Sequence, residues 1–301
     1  VHGEWATAAA HFGIAAAAFL VLLLCWYLLV ARSLTSVERP VSAGVTRDGL
    51  EIFERFPAKP RDVIAARALT YWRRDPRYRI ALFAIPVAPV IMMAALWIAG
   101  MELHVLALLP LPVILLLFGW SVHNDVALDS TAIWTHVASG TKGIHDRAGR
   151  LAPVLLIGLP LAVVGSSITV TISGDWRLLP AVLGMNLAVL LVAAGVSSVF
   201  SAMMPYPATR PGDSPFAQPA VQGSGAGLAQ TLSMLFALLF SLPPVVLSVY
   251  AIVDPTLGLN LVALGLGVAW GLLILGAGIL IGGKIFDRGA PELIAVTQTF
   301  D

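Results

Sequence analysis

Residues 67–79, "RALTYWRRDPRYR", stand directly before residues 80–100, "IALFAIPVAPVIMMAALWIAG". The first stretch holds five arginines, and the second holds no charged residue. The whole chain is only 12% charged and 58% hydrophobic, whereas soluble domains are about 25% charged. About 20 apolar residues cross the hydrocarbon layer of a bilayer as a helix. The pair of stretches therefore predicts a cationic segment at a membrane surface that leads into a transmembrane helix.

Six further stretches of the chain are as long and as apolar as this one. The sequence therefore predicts an all-α integral membrane protein with about seven transmembrane helices. The predicted spans are 8–31, 80–100, 103–122, 151–173, 178–204, 228–253 and 257–283.

The distribution of lysine and arginine predicts how these helices are oriented. If every span crosses the bilayer, the connections alternate sides, and 17 of the 18 lysines and arginines lie on one side. Only Arg177 lies on the other side. Basic connections mark the cytoplasmic side. We therefore expect a multi-pass protein of the plasma (inner) membrane, with its N-terminus outside and its C-terminus in the cytoplasm.

Residues 61–75, between two prolines, show a two-faced helical pattern. Apolar side chains that include Trp72 fall within one arc, and Arg67, Arg73 and Arg74 fall opposite. Such a pattern is typical of a helix that lies at the membrane surface with its cations among the lipid headgroups. We expect these four residues to belong to this surface helix. A cationic anchor without such a helix is the alternative.

Residues 123–150, "HNDVALDSTAIWTHVASGTKGIHDRAGR", form the longest polar stretch after that helix. This stretch, called the polar loop below, falls on the side predicted to be cytoplasmic. Helical spacing would place Asp125, Asp129 and His136 on one face, where two carboxylates and an imidazole could hold a divalent metal. A solvated helix face is the simpler interpretation of the same pattern.

The sequence offers little else that indicates catalysis. No Asp, Glu, Lys or Arg lies in the middle of a predicted span, although carriers coupled to ions or protons generally depend on such groups. Residues 278–284, "GILIGGK", fit the GxxxxGK pattern, but Ile285 follows where a phosphate-binding loop needs Ser or Thr. We expect these glycines to pack helices together. The chain is therefore predicted to have no catalytic residue, no metal ligand and no enzymatic activity of its own.

The order of these features resembles the permease subunits of type II ATP-binding cassette exporters, and most closely the actinobacterial-type branch with fused halves. A surface helix comes first, then two spans, the polar loop, and four spans with a Pro/Gly-rich loop at 205–227. The resemblance implies a six-helix exporter domain over 60–301, preceded by a helix and a linker in 1–59. Because the chain starts at Val1 and not at Met, we expect it to be the C-terminal half of a longer protein.

The resemblance also implies partners. In this family the surface helix is an elbow helix, and the polar loop carries a coupling helix that contacts a separate ATPase subunit. ATP and magnesium are then bound by that partner, and this chain binds no cofactor. Other expected partners are membrane lipids and a second six-helix half, which is either fused to this chain or forms a dimer with it. No nucleic-acid partner is expected. Trp134 is the first choice of contact residue. Asp125 and Asp129 are expected charge partners. The residues assigned to the coupling loop are Asn124, Asp125, Asp129, Trp134 and His136.

Two other classes of function stay open from the sequence. A membrane-embedded lipid-modifying enzyme would use Asp125, Asp129 and His136 for catalysis and would bind a metal. A membrane scaffold that transports nothing would have no nucleotide-dependent partner. The sequence does not distinguish lipids, drugs or peptides as the exported substrate.

Overall fold

The computed structural model describes residues 2–35, 51–210 and 225–298. Within these ranges the protein is helical and has no strand. Seven helical segments are long and apolar enough to cross a membrane. The predicted class, an all-α membrane protein with about seven transmembrane helices, is confirmed.

The α-helices are numbered in chain order. They are α1 (His2–Thr35), α2 (Pro60–Arg74), α3 (Pro76–Ala84), α4 (Val87–Ile98), α5 (Leu103–Leu106), α6 (Pro110–Trp120), α7 (Asp125–Leu128), α8 (Trp134–Ala138), α9 (Gly143–Arg150), α10 (Ala152–Ser173), α11 (Leu179–Met203), α12 (Ala226–Val253) and α13 (Leu257–Gln298). Short 3₁₀ turns occupy Glu51–Arg55, Ser130–Ile133 and Trp176–Leu178.

The chain divides into two compact units, Val1–Asp48 and Gly49–Asp301. In the first unit, α1 is a single long helix, and its side chains over residues 12–28 are exposed. The division falls inside the stretch predicted to be a linker. Residues 36–50 of that linker lie outside the described residues.

In the second unit, two of the spans are each built from two helices. One span consists of α3 and α4, with the break at Ile85 and Pro86. Proline has no N–H to donate and clashes with the preceding turn, which explains an interruption at this place. The next span consists of the short helix α5 and of α6, which begins at Pro110. Both spans were predicted from their composition, which does not show such breaks.

Helix α11 is the centre of the second unit. Most of its side chains are buried, and it packs against α6, α10, α12 and α13. Its one asparagine, Asn186, donates from Nδ2 to the hydroxyl of Ser166 on α10 at 2.9 Å. Four of the five other spans of this unit therefore surround a nearly continuous apolar helix.

Glycines bring α11 and α13 into backbone contact. A Cβ atom added at Gly278 would lie 2.1 Å from the carbonyl oxygen of Gly195, and one added at Gly267 would lie 2.3 Å from that of Gly184. Small residues allow membrane helices to approach this closely. The packing role expected for the glycines of "GILIGGK" is therefore confirmed at Gly278.

Helix α13 continues well beyond the span predicted to end at residue 283. It has 42 residues and is therefore about 63 Å long, roughly twice the thickness of the hydrocarbon layer. Its last part buries Phe286 and Leu293 against Val126 and Ile133 of the polar loop. The same helix thus provides a membrane span and a support for the polar loop.

The glycine contact between α11 and α13 predicts a strong difference between two neighbouring substitutions. Gly278→Ala should lower the free energy of unfolding by about 1–3 kcal/mol, because the added methyl overpacks the interface. Gly276→Ala is the matched control, since a Cβ atom there has nothing within 4 Å. Thermal unfolding of the purified protein in detergent measures both. Equal unfolding midpoints for the two variants would contradict the backbone contact.

Candidate functional site

Helix α2 has the two faces that the sequence predicts, with one exception described below. Trp72 is buried, and its ring packs edge-on against Phe118 with 5.4 Å between the ring centroids. Arg73 and Arg74 are exposed at the end of the helix. The apolar face is therefore covered by the helix bundle.

Both ends of α2 lie beside the beginning of a membrane span. Its C-terminal end leads through Asp75 directly into α3. At its other end, a Cβ atom added at Gly149 would lie 2.7 Å from the carbonyl oxygen of Arg61. Gly149 stands three positions before Ala152, where α10 begins. A 15-residue helix is about 22 Å long. Its position between two span ends supports the expectation that it runs along the membrane surface.

Arg67 is the exception. The sequence predicts that it lies among the lipid headgroups, and the structure corrects this prediction. Its guanidinium turns away from the row of exposed arginines and toward the polar loop, and its side chain is only 19% exposed. It donates to Asp129 at 3.1 Å, to Nε2 of His136 at 2.7 Å and to the hydroxyl of Tyr71 at 2.7 Å. The physical reason is the buried carboxylate of Asp129, which needs a cation close to it.

The polar loop is not one helix. It consists of α7, a 3₁₀ turn, α8 and α9, and the chain changes direction at Ser130 and Gly140, which have φ values of 51° and 63°. Asp125, Asp129 and His136 therefore do not share a helix face by spacing. Arginines bring them together.

Arg150 makes the largest number of these contacts. Its Nη1 donates to Asp125 at 2.9 Å, its Nε to Asp146 at 3.1 Å, and its Nη2 to Asp129. The side chain is buried together with all three carboxylates. One guanidinium thus joins the beginning, the middle and the end of the polar loop.

The complete arrangement is called the arginine-aspartate network. It consists of Arg67, Asp125, Asp129, His136, Asp146, Arg147 and Arg150. His136 contacts Asp146 through Nδ1 and Arg67 through Nε2. Because arginine only donates, Nε2 must accept and Nδ1 must carry the hydrogen. The network contains three arginines and three aspartates, whose charges balance.

The network keeps its members charged although they are buried. Complete burial alone would raise the pKa of Asp146, but the charges of Arg147 and Arg150 and the hydrogen bond from His136 hold this pKa well below its ordinary value. Burial would lower the pKa of Arg150, but Asp129, Asp146 and Asp125 raise it well above its ordinary value. The ion pair between Asp146 and Arg150 therefore persists at physiological pH.

Further contacts connect the polar loop to the helix bundle. The hydroxyl of Tyr78 on α3 donates to Asp125 at 2.5 Å. The guanidinium of Arg147 lies over the ring of Phe286 on α13, 5.4 Å from its centroid. The backbone N–H of Gly143 donates to Asp287 at 2.6 Å. The loop is thus fixed to α3 and to the extension of α13.

A second cluster holds the start of the polar loop. His123 stacks on Trp120 with 3.8 Å between the ring centroids, and its Nε2 accepts from the hydroxyl of Tyr206 at 2.6 Å. Asn124 exchanges two hydrogen bonds with the backbone of Tyr206. Burial lowers the pKa of His123 to about 4, so this imidazole is neutral. The Pro/Gly-rich loop predicted at 205–227 is therefore held at its beginning, while its residues 211–224 lie outside the described part of the chain.

Of the five residues assigned to the coupling loop, only Trp134 is exposed at the surface. It begins α8 and is 56% exposed. The other four are Asn124, Asp125, Asp129 and His136, which are buried. Arginines and Tyr206 occupy their polar atoms. A role of these four residues in coupling therefore stays a prediction.

Sequence reasoning did not recognise Asp146, Arg147, Arg150 and Tyr206 as parts of the site. The first three lie within five residues of one another in the polar loop. Opposite charges so close in the sequence were the pattern that could have indicated ion pairs here. In the described part of the chain, no group of three or more His, Cys, Asp or Glu side chains is arranged to hold a metal. The aspartates that were candidate ligands use their oxygens to bind arginines.

Replacing Arg150 should show how strongly the fold depends on the network. Arg150→Met leaves three buried carboxylates without their shared partner and should cost about 3–5 kcal/mol of stability. Arg150→Lys should be nearly as damaging, because one ammonium cannot replace three separate donor positions. Arg79→Gln, at an exposed arginine, is the control. Size-exclusion profiles and thermal unfolding in detergent report the result, and a stable Arg150→Lys protein would contradict it.

The neutral state of His123 predicts a pH dependence of stability. Its pKa is about 4 in the folded protein and about 6.5 in the unfolded chain. Between these values only the unfolded chain binds the proton, so stability is lost as the pH falls from 6.5 toward 4, by up to about 3 kcal/mol.

His123→Gln should therefore unfold at a lower temperature at pH 7.5 but lose less stability between pH 6.5 and 4.5. His104→Gln is the control, since His104 is exposed. Unfolding midpoints measured across this pH range test the effect. An identical pH slope in His123→Gln and in the unchanged protein would refute it.

The chain matches no protein-family model, no curated protein and no solved structure. Its function therefore has to be inferred from its own helices and contacts. The geometry shows a polar loop whose inner side is fixed to the helix bundle by a neutral network of charges. Its outer side presents one large aromatic side chain.

Proposed function

We propose that this chain is the transmembrane permease component of an ATP-binding cassette exporter and that separate ATPase subunits drive it. The observation that carries the proposal is the construction of the polar loop. It is hydrogen-bonded to several membrane helices on its inner side, and Trp134 is exposed on its outer side. Such an element can transmit the movement of a partner protein into the membrane.

The attachments make this transmission physically direct. The polar loop bonds α2 through Arg67, α3 through Tyr78 and α13 through Asp287. It also contacts the central helix α11, where Ser201 accepts from the backbone N–H of Val126 at 3.0 Å. Closely packed interiors deform little and pass displacements on. A push on the outer side would therefore shift several helices together, as a change between inward- and outward-facing states requires.

The outer side of the loop has the properties of a docking surface. Large aromatic residues are common anchors of protein interfaces, and Trp134 is surrounded in sequence by the exposed Thr131 and Thr135. The charges beneath it are already balanced within the arginine-aspartate network. A partner can therefore bind here through Trp134 without having to neutralise a buried charge. The partner would bring ATP and magnesium with it.

The cation distribution supports an orientation for this assembly. With the polar loop in the cytoplasm, 17 of the 18 lysines and arginines are cytoplasmic. The N-terminus is then outside, the C-terminus is in the cytoplasm, and the membrane is the plasma (inner) membrane. A second six-helix half, fused or in a dimer, would complete the transport pathway.

The two alternatives have less support. A lipid-modifying enzyme would need free side chains at Asp125, Asp129 and His136. Each of these side chains is bound to an arginine, and His136 is also bound to Asp146. No specific observation favours a scaffold that transports nothing.

Trp134→Ala should separate the chain from its ATPase. The tagged chain is purified from its native membranes, and the accompanying proteins are identified by mass spectrometry and assayed for hydrolysis of Mg-ATP. Truncation of an interface anchor typically costs about 2 kcal/mol, so recovery of the ATPase should fall by a few fold or more. Trp176→Ala is the matched control, because Trp176 is equally exposed, at 57%, on the side predicted to be extracytoplasmic.

The result supports the proposal if an accompanying protein carries ATPase motifs, hydrolyses ATP and is lost with Trp134→Ala but retained with Trp176→Ala. Full recovery of the ATPase with Trp134→Ala would overturn the docking surface. Absence of any ATPase, together with a stoichiometric bound metal that is lost on Asp129→Asn, would favour the lipid-modifying enzyme.

A further inference from the structure

A cleft of about 480 Å³ opens between the beginning of α2 and the outer end of the polar loop. Lys59 and Arg67 contribute to its lining from the side of α2, and Thr135, Ser139 and Thr141 contribute from the polar loop. Two members of the arginine-aspartate network, Arg67 and His136, form part of its wall. Its polar lining provides donors from two separate segments of the chain.

The charge of the cleft indicates what it can bind. Its lining holds no carboxylate, and the charge of Arg67 is balanced by Asp129. In the part of the chain that the structure describes, the ammonium of Lys59 makes no ion pair and is exposed at the cleft. One uncompensated positive charge therefore remains, which matches a ligand group with a single negative charge.

The hydroxyl groups of the lining suit an acceptor-rich ligand. Ser139 donates its hydrogen to the carbonyl oxygen of His136 at 3.1 Å, so Thr141 is the donor in the 2.9 Å bond between Thr141 and Ser139. A ligand oxygen in the cleft would accept this hydrogen of Thr141 in place of Ser139. A lysine and hydroxyl donors are groups that proteins use to bind phosphate oxygens.

The rest of the lining and its position favour a lipid. Val63, which is 44% exposed, and Ile64 give the cleft an apolar part. The cleft adjoins the end of α2 where Arg61 contacts Gly149, just before α10 enters its span. A phosphate placed here would be near the headgroup level, and an attached glycerol and acyl chain could cover Val63.

We propose that this cleft binds a phosphodiester monoanion, with the phosphate on Lys59 and Thr141 and an apolar substituent against Val63. The phosphate can belong to a membrane phospholipid or to a soluble compound, and the apolar part favours the phospholipid. The bound group would join the start of α2 to the outer end of the polar loop, next to Trp134. This inference does not depend on the proposed transport function.

The experiment uses the full chain purified in a neutral detergent and titrated with a short-chain phosphatidylglycerol. The unfolding midpoint and native mass spectrometry report binding. Inorganic phosphate and a short-chain diacylglycerol are titrated separately. We expect phosphatidylglycerol to bind and to raise the unfolding midpoint, as ligands of the folded state do, and the diacylglycerol to have no effect.

The double variant Lys59→Gln with Thr141→Val should weaken binding of phosphatidylglycerol by about tenfold. Lys142→Gln is the matched control, because Lys142 is exposed on the same loop but does not line the cleft. Both proteins should unfold like the unchanged protein when no lipid is added, which separates loss of binding from loss of fold.

The comparison of the ligands distinguishes the two sources of phosphate. Tighter binding of phosphatidylglycerol than of inorganic phosphate, lost in the double variant, supports the lipid. Equal binding of both, lost in the double variant, supports a site for soluble phosphate. Unchanged affinity in the double variant, or equal binding of the diacylglycerol, would overturn the proposal. ATPase recovery with this double variant is a separate measurement, so either proposal can fail without the other.

Discussion

The structure of the polar loop depends on the burial of Arg150. An arginine removed from water needs compensation for each lost hydration contact, and three aspartates provide it here. Their positions fix the path of the polar loop between Asp125 and Asp146. The helices of this loop have four, five and eight residues, and helices so short are not stable by themselves in water. Charge pairing in a dry interior replaces the regular hydrogen bonding that a longer helix would supply.

The burial of these charges also explains the arrangement of the helices around the polar loop. A buried network needs walls that exclude water, and α2, α3 and the extension of α13 provide them. The extension contributes Phe286, whose ring covers the guanidinium of Arg147. Cations over aromatic faces are stabilised most where water is excluded. The unusual length of α13 and the inward turn of Arg67 therefore both help to bury the arginine-aspartate network.

Much of the fold could be predicted from the sequence because membrane spans are marked by length and composition alone. The glycines of α13 were also predictable, since small residues in an apolar helix indicate close packing. The network was not predictable, because its members come from α2 and from all parts of the polar loop. Arg67 and Asp129 are 62 positions apart, and helical spacing misled the prediction at Ser130, where the chain turns with a φ of 51°. Trp134 was predicted from its residue type, and its exposure agrees with that choice.

The unbroken length of α13 makes it a mechanical lever. Its backbone comes close to the polar loop at Gly283, where an added Cβ atom would lie 2.7 Å from the backbone nitrogen of Ile144. This point divides the helix into arms of about 40 Å and about 22 Å. If the helix rotates about this fulcrum, a sideways step of 1 Å at the short end becomes an opposite step of roughly 2 Å at Leu257. A small movement beside the polar loop would thus be enlarged at the far side of the membrane.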